Sequence, residues 1–244
     1  MKKHLQHYFI AQSFLTRLPV PKSATYTDKQ IGRSALYYPA VGLLIGCILG
    51  LLAWVLSFAS PMLSAVIITT VWVITTGALH LDGLADSADA WLGGHSNKER
   101  IFTIMHDPRL GTAGVVSLVL VLLLKVSALT VLLESSQWLL VILIPSIARL
   151  AATTLIFILP SAKEEGLAYT VKQNMPINDT FALLFTASIL LLVLAPALFI
   201  FAAIIFFLLK QMMLKQIGGM TGDTVGATIE IIEAMALVFM ASLV

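Results

Sequence analysis

The stretch "PMLSAVIITTVWVITTGALHLDGLADSADAWLGG", residues 61–94, passes from lipid-like to acidic within a few positions. Residues 61–80 carry no Asp, Glu, Lys or Arg, and a helix of about 20 apolar residues crosses the hydrocarbon core of a bilayer. Asp82, Asp86 and Asp89 follow at once. Carboxylates are among the costliest side chains to take out of water, so this stretch reads as a membrane span ending at a polar face where three acids have a use.

The rest of the chain repeats the apolar theme. Of 244 residues, 59% are hydrophobic and 11% charged, against roughly 25% charged in soluble domains. Apolar segments of spanning length lie at about 35–58, 61–80, 113–133, 138–159, 180–195, 197–216 and 225–244. The expected fold is all-α: a polytopic integral membrane protein of about seven transmembrane helices in a single domain. The segments at about 180–195 and 197–216 read either as two spans or as one long helix kinked at Pro196. Residues 1–24 look too broken by His, Gln and Thr for a signal core. Leu5, Tyr8, Phe9, Gln12 and Leu15 give them a mildly apolar face, read as an N-terminal interfacial helix on membrane lipid.

Charge sets the orientation. Lys2, Lys3, Arg17, Lys22, Lys29 and Arg33 precede the first span; Lys98, Arg100 and Arg109 follow the second; Lys163 and Lys172 follow the fourth; Lys210 and Lys215 close the sixth. With seven spans these all lie on one side, which the positive-inside rule makes cytoplasmic, together with the N-terminus. The net charge of +2 comes with no basic run interleaved with aromatics, so nucleic acid is not an expected partner. Cys47 is the single cysteine, which leaves no disulfide or Cys-based zinc site within one chain. Membrane lipid and a second copy of the chain are the macromolecular partners left open.

Helical residues advance by about 100° each, which brings Asp82, Asp86 and Asp89 within roughly 60° of one another. Such a row repels itself until a cation arrives, and hard oxygen ligands favour Mg²⁺, Mn²⁺ or Ca²⁺ over zinc. Mg²⁺ usually takes one or two protein carboxylates and completes its shell with water and phosphate, so the row suggests a phosphate-handling site; a solvated helix end is the plain alternative. In "TGDTVGATIEIIE", Asp223 and Glu230 share a face seven residues apart. Thr221 or Asp223 can also cap that helix, whereas a cap does not account for Glu230. In "IMHDPRLGTAG", Pro108, Gly111 and Gly114 open a helix whose bare N–H groups suit an anion, with Arg109 as a fixed cation and Asp107 as either a metal ligand or the partner of Arg109; a capped turn and nothing more is the equal alternative. Lys125 and Arg149 fall inside spans, where pairing with a carboxylate ranks ahead of substrate contact. Glu134, nine residues from Lys125, is not the expected partner. His80 and His106 flank the motifs and read as hydrogen-bonding residues before catalysts.

Taken in order, "HLDGLADSADAW", "IMHDPRLGTAG", "KEEGL" and "GGMTGDTVGATIE", with "FLTRLPVP" and "YYPAVGLLIG" near the start, resemble the cobalamin synthase family, membrane enzymes also called adenosylcobinamide-GDP ribazoletransferases. The resemblance covers essentially the whole chain. It implies transfer of adenosylcobinamide phosphate from adenosylcobinamide-GDP to α-ribazole or α-ribazole 5′-phosphate, with release of GMP, a requirement for Mg²⁺, and a place in the cytoplasmic (inner) membrane. On this reading Asp82, Asp86 and Asp89 are catalytic and metal-binding, Asp223 and Glu230 add metal ligands, and Arg109, Gly111, Asp107, Thr221, Lys125 and Arg149 are placed on the substrate or phosphate side. Two rivals stand beside it. A CDP-alcohol phosphotransferase would space its last two Asp four apart, not three as here. A cation transporter would spread acids across several helices near the midplane.

Overall fold

A computed structural model describes residues 2–21 and 25–244; Lys22, one of the charges used for orientation, lies outside them. The described chain is helical: α1 (Lys2–Leu15), α2 (Asp28–Ser34), α3 (Tyr38–Val55), α4 (Pro61–Thr76), α5 (Leu79–Gly94), α6 (Lys98–Met105), α7 (Thr112–Glu134), α8 (Ile144–Ile158), α9 (Leu167–Asn174), α10 (Ile177–Leu194), α11 (Pro196–Ile217) and α12 (Gly222–Ala241). The all-α, polytopic expectation holds. Pro lies in the opening turn of α3, α4, α8 and α11, where its missing N–H costs nothing.

All seven apolar segments are helical, but not equally. Five helices are long and apolar enough to cross a membrane, and the bent pair α4–α5 makes a sixth. The remaining one, α8, has 15 residues, about 22 Å of helix, and only a short 3₁₀ turn at Trp138–Ile142 precedes it. Ala195 leaves the helical region (φ −148°, ψ 65°), so α10 and α11 are two helices. Their far ends return to the same end of the bundle: Asp179 faces Arg33 at 3.8 Å, and the turn after α11 hydrogen-bonds through Met220 to Pro160. That end also gathers α6, α9 and the starts of α7 and α12. The N-terminal α1 buries Ile10, Ala11, Gln12 and Leu15 against its neighbours, while Leu5, expected on its apolar face, is exposed.

One break decides where the acidic row goes. The span expected to run to residue 80 stops at Thr76, and the chain turns by 88° into α5. Gly77 takes φ +64° and Ala78 φ +58°. Ala78 N–H donates to Val73 C=O, and Gly77 N–H to Ile74 C=O, the pattern of a Schellman stop. Arg17 closes the elbow from outside, its N–H on Thr75 C=O at 2.7 Å. Hydropathy alone does not see this break, since residues on both sides are apolar.

Candidate active site

Beyond the elbow, α5 packs against α6, α7 and α12. A Cβ on Gly83 would stand 2.7 Å from the Asp223 carbonyl oxygen, so only glycine lets the start of α12 come this close. The approach sets Asp223 beside the α5 row. Asp86 sits in the fields of Asp82, Asp223 and Asp89, opposed by Lys163. No ion pair among the described residues reaches Asp82 or Asp86. Lys163, in the "KEEGL" segment, holds its Nζ 3.7 Å from Asp223 Oδ2 and 3.3 Å from His106 Nε2. Sequence reasoning used this lysine for orientation alone and gave it no part in the site; its signal was a cation in a polar segment on the same end as the acids.

Asp89 has a different occupation. Its Oδ2 accepts the Gly111 N–H at 2.7 Å and its Oδ1 the Gly114 N–H at 2.8 Å. The glycine turn does bind an anion at the positive end of α7, as its sequence suggests, but the anion is this internal carboxylate. The Gly111 N–H is thus taken by Asp89, a cap supplied from another helix. A methyl group on Gly114 would stand 2.4 Å from Asp89 Oδ2. Gly114→Ala is therefore expected to lower stability by roughly 1–3 kcal/mol, read by unfolding in detergent.

A cleft of about 540 Å³ opens beside the row, lined by Asp82, Asp86, His106, Asp107 and Arg109. Asp107 turns out to be the partner of Arg109: the guanidinium Nε and Nη2 and the backbone N–H of Arg109 all donate to its carboxylate. These hydrogen bonds hold the Asp107 carboxyl down at about 2. Asp107 is thus taken up by Arg109, while Arg109 is largely exposed and its Nη1 takes no part in the pairing.

The spans hold the other expected residues away from this cleft. Lys125 Nζ is 2.7 Å from Glu230 Oε2 and 2.6 Å from Glu233 Oε2, and Arg149 Nη1 bonds Glu233 Oε1. All four are buried, and the Lys125 ammonium also lies 4.3 Å from the Trp72 ring centre. Glu230 is therefore an ion-pair partner, and Lys125 and Arg149 are taken up by the acids of α12. Glu233 was missed, although its place three residues after Glu230 put both on one helix face. Thr221 is the cap of α12: its Oγ1 accepts the Thr224 N–H at 3.2 Å. His80 is buried with Nδ1 unpartnered among the described residues.

Four carboxylates meet from two helices, one is spent on architecture, and Asp82, Asp86 and Asp223 face open space. Among the described residues no three His, Cys, Asp or Glu side chains close into a cage for an ion. The hard oxygen donors, with Asp82 and Asp86 free of ion pairs and Asp223 held only by Lys163 at 3.7 Å, nevertheless fit Mg²⁺, which needs few protein ligands where phosphate supplies the rest.

Comparison with known proteins agrees in scope with the motifs. The chain is 44% identical over 235 residues to an adenosylcobinamide-GDP ribazoletransferase of Stutzerimonas stutzeri (strain A1501), covering 95% of this chain and 96% of that protein. It is 43% identical over 237 residues to a protein of the same name from Pseudomonas fluorescens (strain Pf0-1), covering 96% and 98%. No solved structure matches. Residues 7–241 match the family model described as cobalamin-5-phosphate synthase, and over nearly its whole length the chain belongs to that family.

Proposed function

We propose that the chain catalyses transfer of the adenosylcobinamide phosphate of adenosylcobinamide-GDP to α-ribazole or α-ribazole 5′-phosphate, releasing GMP, at the cleft beside α5. The observation that carries the site is the pair of unpaired carboxylates, Asp82 and Asp86, beside Asp223 and facing Arg109 and Lys163.

The ribazole hydroxyl oxygen attacks the phosphorus bearing the cobinamide; the new P–O bond forms as the bond to the bridging oxygen breaks, and GMP leaves with that oxygen. Such a transfer asks for alignment and charge neutralisation more than for covalent help. Arg109 Nη1 and Lys163 Nζ are placed to receive the GMP phosphate. Asp86, half-buried and crowded by three other acids, is the acceptor for the proton of the attacking hydroxyl. Mg²⁺, when bound, would supply Lewis-acid neutralisation of the pyrophosphate, and Asp82 and Asp223 are the residues to hold it. Asp89 keeps α5 and α7 in register and touches no reacting atom.

The test is direct. Purified full-length protein, given adenosylcobinamide-GDP, α-ribazole 5′-phosphate and Mg²⁺, is expected to release GMP, to stop with a chelator and to resume with excess Mg²⁺. Folded protein that releases none would overturn the reading. The transporter alternative loses its acids, because Glu230 and Glu233 are already paired with Lys125 and Arg149.

The polar end, with Arg17, Lys98, Arg109 and Lys163, is assigned to the cytoplasm on its positive charge, in the inner membrane. His95→Cys in a Cys47→Ser background is expected to react with an impermeant maleimide only after cells are opened. Labelling of intact cells would reverse the orientation.

A further inference from the structure

On an adjoining face of α5 lies a second, smaller cleft of about 230 Å³. Its walls are apolar, with Tyr38, Ile156, Ala168 and Ile229 among them, and its polar residues include Asp82, Asp223 and His80. Asp82 thus lines both clefts and stands between them. We propose that this second cleft seats the flat, uncharged aromatic base of the attacking nucleoside, so that nucleophile and leaving group approach the phosphorus from opposite sides of the α5 row. The inference rests on the transfer reaction proposed above.

Four observations support it. In-line displacement at phosphorus needs the attacking and leaving oxygens on opposite faces, and the cation Arg109 lines the first cleft and not this one, so the departing GMP phosphate is expected there. No Lys or Arg is among the residues lining the smaller cleft, and Lys163, beside it, is held by Asp223, whereas an apolar fused ring loses little by entering it. The size fits a ring and not a corrin, being below the ~300–1,000 Å³ of typical small-molecule sites. His80 lines the wall, buried, with its Nδ1 unpartnered among the described residues, and a buried polar atom of this kind calls for a hydrogen-bonding group such as a ring nitrogen.

Ala168 on α9 offers a probe, since it lines the cleft and has no part in the reaction. Ala168→Trp is expected to raise KM for α-ribazole 5′-phosphate at least ~10-fold while leaving KM for adenosylcobinamide-GDP within about twofold. Ala168→Leu gives the same split, at smaller size, if the tryptophan variant does not fold. An equal fold-change in KM for both substrates, or a rise for adenosylcobinamide-GDP alone, would overturn the proposal. So would a fall in kcat with both KM values unchanged, the result expected if a lipid chain fills the cleft. Equilibrium dialysis of labelled α-ribazole 5′-phosphate against the full chain in nanodiscs separates this claim from the reaction. Binding to wild type that is weakened at least ~10-fold in the variant supports the cleft even without turnover; binding that the variant leaves unchanged overturns it even if GMP is released.

Discussion

Asp82→Asn is expected to cut GMP release by roughly 1,000-fold, at the upper end of what removing one electrostatic group from a reaction centre costs, while the protein stays folded. Asn keeps the shape of Asp and removes its charge. Asp82 has no ion-pair partner among the described residues, so the substitution breaks no ion pair. It also relieves repulsion with Asp86, so the melting temperature is expected to hold or rise. Asp89→Asn should behave in the opposite sense. The two N–H bonds from the start of α7 lose their charged acceptor, and about 1–2 kcal/mol of stability goes with it. A comparison of the two variants therefore separates a carboxylate that handles phosphate from one that holds two helices together. Activity of Asp82→Asn above a tenth of wild type would remove Asp82 from the centre.

The difference between those two aspartates marks where reading a sequence stops. Spacing alone puts Asp82, Asp86 and Asp89 on one helical face, because helical geometry is local. It does not say what stands opposite each of them. The glycine turn 111–114 was legible as an anion site for the same local reason, yet its anion is a side chain 22 residues earlier, and only tertiary packing brings the two together. The elbow at Gly77 hid inside a continuous apolar run, since two left-handed residues change direction without changing hydropathy. Lys125 and Arg149 were legible as charges needing partners; Glu233 was equally visible, but which acid meets which base depends on how α12 is rotated against α7 and α8. Lys163 sits in a loop with no periodicity, so nothing local predicts which acid it faces.

Lys125→Met carries the largest expected effect on stability. The cluster joins Lys125 of α7, Arg149 of α8 and both Glu230 and Glu233 of α12, with Trp72 of α4 against the lysine. Two positive and two negative groups balance, which is what permits burial in an apolar bundle. Removing the ammonium leaves two buried carboxylates sharing one guanidinium, and breaking a buried pair in this way costs about 3–5 kcal/mol. Unfolding by SDS in mixed micelles is the measurement. Activity should fall as well, because α12 presents Asp223 at its first turn and the cluster fixes that helix against three others. Lys125→Met combined with Glu230→Gln restores the balance, one guanidinium to one carboxylate, and is expected to recover most of the lost stability and part of the activity. Recovery by the double variant would show that charge pairing, not lysine itself, holds α12 in place. A single variant losing under ~1 kcal/mol, the scale of an exposed pair, would show instead that the helices pack without the cluster.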